Sequence, residues 1–443
     1  GLFNSFRVPT LQPAAMDMMS TWSTESSESE ELEKPTKVSM LEAYINLVTV
    51  IIGAGILALP QLPVRSGWIL SILLLVLSGI AVQEPARQLW KTLMAADDKV
   101  TTYEGLAETA LGLLGRIVTA LVVNIFLLGI CSAYAALIGM QLHHLTGLFN
   151  QRIWILLASP IFVVLALLPN LSVLSKLVPF GMLAACITAF IIIWRSLEDS
   201  ALWRSWEEDI HHPWPTDIFA SGAALATCLG AFTLVPVVPP IIRDMAQPER
   251  FIGALNAALV TCGTLYLAVM LCGYYGYGNF ISNDLVESMN HSPSSFDEAM
   301  MVKSHEWTGL QRLWLRVLMS VLILVNIILS MPLLAMAVFY SIESAGSKWH
   351  YVQPGTWSNW IMRIGIIAGV VAVALAVPRF TVVFGFFSSL AAPCVSVILP
   401  LLIAGMLEKM SCWRRAYHGS LVLLAILCMV SGMYTSVMDV VNT

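Results

Sequence analysis

Charge is scarce in this chain. Asp, Glu, Lys and Arg make up only 12% of its 443 residues, about half the share of a soluble domain, and no basic cluster is present that would hold nucleic acid. The eight cysteines form neither a Cys-x-x-Cys pair nor a Cys/His cluster. Cys131, Cys186, Cys228, Cys262, Cys272, Cys394 and Cys428 fall within apolar runs as small packing residues, and Cys412 lies on a short basic loop, so neither a disulfide framework nor a metal centre follows. Ser/His/Asp, Cys/His and phosphate-loop constellations are also missing, which argues against an enzyme and calls for no cofactor. No ring-forming filter segment is visible, which argues against a channel.

What the chain has is length and apolarity: 58% hydrophobic residues and a mean hydropathy of +0.78. Runs of about 20 apolar residues, enough to cross a bilayer, recur from Leu41 onward. They predict an all-α, multi-pass integral membrane protein of about eleven spans embedded in lipid. Residues 1–40 read as a disordered, cytosolic, acidic tail rich in Ser and Glu, and residues 41–443 as one transmembrane domain. Gly1 stands where an initiator methionine is usual, so a processed or incomplete N-terminus is expected. Lys and Arg favour a cytosolic N-terminus, with Arg87, Lys91, Arg116, Arg243, Arg250, Arg414 and Arg415 inside and Arg65, Arg152, Arg195, Arg312 and Arg379 outside. An odd number of spans then puts the C-terminus outside or in a lumen, with plasma membrane and endomembrane both open. Asn290 lies in a glycosylation acceptor on the expected outer loop, and Asn170 in one that this topology hides.

The most informative segment is Asn46–Pro60, whose apolar run is interrupted by Gly53-Ala54-Gly55. Glycine costs about 1 kcal/mol against alanine in a helix, so the pair favours unwinding at bilayer depth. Freed main-chain groups there must face protein, water or a ligand. Close packing through small residues is the plainer alternative. The sixth span, about Ile218–Ile242, carries a second break at Thr227–Thr233, followed by Pro236, Pro239 and Pro240. With five spans per repeat, the first and sixth correspond, and so do the unusually long third and eighth. Breaks in register are the signature of a midplane site between inverted repeats.

At these residues the chain resembles the amino acid/auxin permease family. The first helix of that family reads like Asn46, Leu47, Ile51, Gly53, Gly55, Ile56, Leu57, Leu59 and Pro60, with Gly67-Trp68 following. Thr102–Ala107 with Gly112, Cys131–Tyr134, Pro239-Pro240 with Met245, Pro248 and Phe251, Tyr266, Gly273-Tyr274, Tyr277-Gly278, Pro332, Glu343 and Pro400 continue the match in order. The resemblance implies a LeuT-type fold, a 5+5 inverted repeat plus one extra helix, and secondary active transport of amino acids coupled to H+ or Na+. It also implies that spans one, two, six and seven rock against three, four, eight and nine.

Half-helix N-termini carry about half a positive charge, so the amides of Ala54, Gly55 and Ile56 are expected to hold a substrate carboxylate. Carbonyls near Ile51, Ile52, Gly53, Leu229 and Gly230 are expected to accept from its ammonium group. Cys228, Phe232 and Thr233, with Ser132, Tyr134, Asn124 and Asn326 on the facing helices, would read the side chain. Asn46, Thr49 and Ser320 are candidates for a coupling-ion site. Thr49 stands where sodium-coupled relatives carry asparagine, and Val235 where many place histidine, two departures from the family pattern; protons are the expected coupling ion and a neutral amino acid the expected substrate. A proton route needs a titratable group at depth; Glu42, Glu84, His143, Arg243, Asp244 and Glu343 all stand near span boundaries, where interfacial or loop pairing is the plainer reading. A sensor that binds an amino acid without sustained transport, and a non-transporting membrane subunit, are the rival readings. The oligomeric state stays open.

Overall fold

Hydrocarbon leaves the helix as the economical answer for an apolar run, because every main-chain polar group is then satisfied within the segment. The computed structural model describes residues 38–96, 100, 102–167, 172–204, 211–281, 285, 288, 309–346, 356–408 and 410–441. The acidic tail before Val38 and the acceptor asparagines at 170 and 290 lie outside the described residues. Helix α1 (Met40–Ile51) begins at a capping box: Ser39 Oγ accepts the Glu42 amide at 3.3 Å, and the Glu42 carboxylate accepts the Ser39 amide at 2.7 Å. Two 3-10 turns, Ala54–Leu57 and Leu59–Gln61, lead to α2 (Leu62–Ser66). The limbs Met40–Ile51 and Gly55–Ser66 are bent by 50°.

Gly67, at φ 72°, turns the chain into α3 (Trp68–Ala95), and a Cβ there would lie 2.6 Å from the Pro213 carbonyl oxygen. Next come α4 (Tyr103–Thr146), α5 (Gln151–Leu167), α6 (Ser172–Arg204), α7 (Ile218–Ala231) and α8 (Val238–Asp244). They are followed by α9 (Phe251–Tyr277), α10 (Gly309–Gly346), α11 (Trp357–Ala376), α12 (Phe380–Pro393), α13 (Leu399–Leu407) and α14 (Cys412–Val441). The first turns of α4 form a kinked extension, and the helix changes direction at Gly112 (φ 68°). A π-helical segment, Cys394–Ile398, links α12 to α13. Pro400 has no N–H to give the carbonyl one turn back, and the loosened turn just before it accommodates that loss.

Among the described residues nine helices are long and apolar enough to cross a membrane, α7–α8 and α12–α13 each counting as one. The bent α1–α2 pair makes a tenth, and α5 is a shorter apolar helix of 17 residues. Packing divides them in the way the two repeats require. α3 and α9 pack with the broken spans α1–α2 and α7–α8, whereas α4, α5, α10 and α11 pack on one another. α6 and α12, fifth in each repeat, touch both groups: α6 lies on α9 and α10, α12 on α7 and α4.

Two buried ion-pair clusters pin these groups. In one, Arg363 of α11 lies 2.8 Å from Glu343 of α10, donates to the Ala166 carbonyl of α5 at 2.9 Å and covers the Phe339 ring. In the other, Asp199 of α6 joins Arg195 at 2.9 Å to the Tyr277 hydroxyl of α9 at 3.0 Å. At the Met40 end, Val38 is zipped to the end of α8, donating to the Asp244 carbonyl at 2.8 Å and accepting from the Ala246 amide at 2.9 Å.

Candidate functional site

The first break starts where α1 stops at Ile51. Ile52 (φ −73°, ψ 83°) and Gly53 (φ −115°, ψ −167°) are non-helical, and the chain then turns through Ala54–Leu57. Neither glycine here has positive φ, so space explains their presence better than conformation does. A Cβ on Gly53 would lie 2.9 Å from the Tyr134 hydroxyl, and one on Gly55 would meet the Phe384 ring at 3.1 Å and Ala231 at 3.4 Å. The Ile56 amide bonds the Gly53 carbonyl at 3.3 Å. The amides of Ala54 and Gly55 head the turn, where a helical ladder provides no acceptor.

The second break follows Ala231. Phe232 (φ −88°, ψ 4°) and Thr233 fold back on the last turn of α7, their amides reaching the Cys228 and Gly230 carbonyls at 3.0 and 3.2 Å. Thr233 Oγ1 donates to the Leu229 carbonyl at 2.8 Å and lies 3.0 Å from Ser396 Oγ in the π segment. Gly230 leaves room for Ser388 of α12, whose Oγ is 2.2 Å from the place a Cβ would take.

One hydroxyl joins the two breaks. Tyr266 of α9, fully buried, puts its Oη 2.5 Å from the Ile51 carbonyl oxygen and 3.2 Å from that of Ala231. Its ring sits 5.1 Å from the ring of Phe232. Ile51 and Ala231 therefore meet at one hydroxyl, with Gly53 facing Tyr134 and Gly55 facing Ala231, and with Ile52, Ile56, Cys228, Leu229 and Phe232 buried in the two breaks. Ala54 is part of the same 3-10 turn.

The remaining sequence candidates bond to their own or neighbouring helices, apart from Asn46. Ser132 Oγ is used on its own helix, donating to Leu128 at 2.9 Å. Asn326 donates to the Gly181 carbonyl at 2.9 Å, and Thr49 bonds the Ile45 carbonyl at 2.8 Å and the sulfur of Met182 at 3.2 Å. Thr49 and Asn326 thus meet neighbouring residues of α6. Ser320 instead donates to Gln141 at 2.9 Å in the α4–α10 interface, Asn124 donates to Ser341 at 3.2 Å, and Asn46 lies on an exposed part of α1.

A cavity of about 350 Å³ opens on the Arg65 side of the breaks, lined by Ala58, Thr227 and Gly385 at depth and by Arg65, Arg379, Thr381 and Asp439. Phe384, next to the cavity-lining Gly385 in sequence, sets its ring against Gly55. Arg65 and Asp439 pair at 2.8 Å, joining α2 to α14. Sequence reasoning singled out neither Phe384 and Ser388 nor this vestibule, and Tyr266 entered it only as a family match. In an apolar span the facing side carries little signature.

The family model for transmembrane amino acid transporter proteins matches residues 36–442. The chain belongs to this family of amino acid transporters. It is 22% identical to amino acid transporter AVT3C of Arabidopsis thaliana, over 92% of each chain, and 25% identical to amino acid transporter AVT1I of the same plant, over 91% of this chain and 96% of that one. The inward-facing structure of Mhp1 aligns with a TM-score of 0.54 at 13% identity, covering 92% of each chain. Mhp1, a nucleobase-cation-symport-1 family transporter, in a closed conformation gives 0.53 at 12% identity, over 93% and 96%. At such identity the likeness concerns the fold, and it is the LeuT-type fold expected from the sequence. The amino acid transporter family and its relatives are transporters rather than enzymes.

Proposed function

We propose that this transporter carries a neutral amino acid through the two helix breaks by alternating access, with protons as the coupling ion. The observation that carries the reading is the Tyr266 hydroxyl, which holds the broken ends of spans one and six within one hydrogen-bonding group of each other. The amides of Ala54 and Gly55 at the head of the turn suit a carboxylate, that of Ile56 becoming available only by leaving the Gly53 carbonyl, and the carbonyls of Ile52, Gly53, Leu229 and Gly230 suit an ammonium group. Ile52, Ile56, Cys228 and Phe232 are buried around the breaks without a charged side chain among them, which suits a neutral substrate.

Alternating access gives the asymmetry of the molecule a meaning. The vestibule lies on the Arg65 side and the Val38–α8 zip on the Met40 side. Phe384, its ring against Gly55, is the side chain that moves aside in this reading when a ligand reaches that glycine. Thr49, near Met182, remains the candidate residue for an ion held between α1 and α6, with Asn46 and Ser320 as further candidates. With the N-terminus cytosolic, the vestibule faces the outside or a lumen. The sequence leaves the compartment open.

The test is uptake of a panel of labelled amino acids into proteoliposomes under a proton gradient, a sodium gradient or none. Neutral amino acids accumulating only under the proton gradient support the proposal. Accumulation driven by sodium overturns the coupling, and saturable binding without uptake replaces the transporter reading with a sensor.

A further inference from the structure

Among the described residues, one buried ionisable cluster is poorly satisfied. Arg363 and Asp199 have close partners, as described above, whereas His418 of α14 is buried, 7% exposed at its side chain, and neither ring nitrogen makes a hydrogen bond. Its Nε2 lies 3.5 Å from Oε1 of Glu84 in α3, whose side chain is 17% exposed. Gln88, one turn on, donates to the same carboxylate oxygen, and its own Oε1, also buried, has no partner. Buried polar atoms without partners are costly, so a cluster that leaves three in place calls for an explanation. Ionisable side chains inside membrane spans are functional sites by default.

We infer that His418, with Glu84 as its counter-ion and Gln88 as a positioning residue, is a proton-binding site between the cytosolic ends of α3 and α14; as a coupling site it rests on the proton-driven transport proposed above. Histidine is the side chain whose charge changes between about pH 5 and 8. Charged, the ring stands at ion-pair distance from Glu84; neutral, it leaves that carboxylate to Gln88.

The surroundings offer few rivals for the proton. On α3, Arg87 lies 3.9 Å from the other Glu84 oxygen and Lys91 follows one turn later; on α14 stand Arg414, Arg415 and Tyr417, whose ring is 6.0 Å from that of His418. Of the elements packed on these two helices, α12, α13 and the turn Val235–Val237 carry no titratable residue. The π segment offers Cys394 and α7 offers Cys228, while Arg65 of α2 is held by Asp439. α9 contributes Cys262, Cys272 and its tyrosines, and α8 ends in Asp244 and Arg243, the latter donating to the Val100 carbonyl at 3.0 Å.

The site also has a physical link to the breaks. The π segment packs on both α3 and α14, and its Ser396 meets Thr233 at 3.0 Å in the second break. Loading or emptying the His418–Glu84 pair therefore acts on two helices that hold the π segment, and through it on the broken sixth span.

The decisive experiment is solid-state NMR of the full-length protein in liposomes with 15N-labelled histidine. Tyr417–His418 is the sole Tyr-His dipeptide in the sequence, so pairwise labelling assigns His418 in the wild type without any variant. The expected result is a reversible change of the His418 ring signals from the neutral to the imidazolium form as pH is lowered, altered in Glu84→Gln. A ring fixed in one form throughout, or a titration unchanged in Glu84→Gln, overturns the site. In proteoliposomes, Glu84→Gln and His418→Gln should lose proton-driven accumulation of a labelled amino acid mixture while keeping exchange at zero gradient. Wild-type accumulation in both variants overturns the coupling role. An absence of all transport in the wild type instead counts against the transport reading, and the NMR titration still decides the proton site.

Discussion

The Tyr266 hydroxyl lies 2.5 Å from the carbonyl oxygen of Ile51 and 3.2 Å from that of Ala231, so one proton is shared between the last carbonyls of two half-helices. Each carbonyl would otherwise be a partly unsatisfied acceptor at the depth where water is scarce. Tyr266→Phe keeps the ring against Phe232 and removes only the shared proton. A stability loss of about 1 kcal/mol is expected, with a larger fall in uptake, because the relative position of the breaks is what the hydroxyl sets. Thermal melting and initial uptake rates on the same preparation check this. Normal uptake with a lowered melting point would reduce Tyr266 to a structural role.

Much of this arrangement was legible in the sequence, and the remainder has a physical reason for being hidden. Gly53, Gly55, Pro239 and Pro240 mark the breaks because backbone chemistry is local. Tyr266 sits 215 residues from Ile51 in a span apolar on every side, so nothing in its neighbourhood says which face meets the break. His418 was passed over for the same reason, although Glu84 was noticed. Ser320 shows the converse: a polar residue in a span attracts a functional reading from its type alone, and its donation to Gln141 across the α4–α10 interface shows only in three dimensions.

The glycine at position 53 can be tested through its neighbour. A Cβ there would stand 2.9 Å from the Tyr134 hydroxyl oxygen, closer than carbon and oxygen tolerate without movement. Gly53→Ala should depress uptake strongly while leaving the protein folded, and Tyr134→Phe in the same chain should restore part of it by removing the clashing atom. Such coupling between touching residues is what a double-mutant cycle measures. Additive losses in the double variant would mean that Gly53 is needed for something other than room.

Arg363 and Glu343 make a different kind of prediction. Their side chains are 8% and 7% exposed and 2.8 Å apart, between helices of the group packed around α4. Glu343→Gln leaves the Arg363 charge poorly compensated, and breaking a buried pair on one side costs about 3–5 kcal/mol. The expected outcome is a sharply lowered melting temperature and yield, with unchanged substrate preference in whatever protein survives. A change in preference at normal stability would place the pair in the transport path.

The pair at the vestibule mouth should behave in the opposite way. Arg65 and Asp439 are 54% and 33% exposed at their side chains, and exposed pairs contribute about 0–1 kcal/mol, screened further by salt. Asp439→Asn should therefore leave melting almost unchanged. Its effect should fall on transport, because the 2.8 Å contact ties α2, the second limb of the broken first span, to α14. If that limb moves when the vestibule closes, freeing it changes the initial uptake rate at low ionic strength, and the difference from wild type shrinks as salt is raised. The same variant frees Arg65 to join Arg379 in attracting a carboxylate into the cavity, so KM should fall rather than rise. A KM that rises, with stability intact, would show that Asp439 itself receives the ammonium end of the substrate.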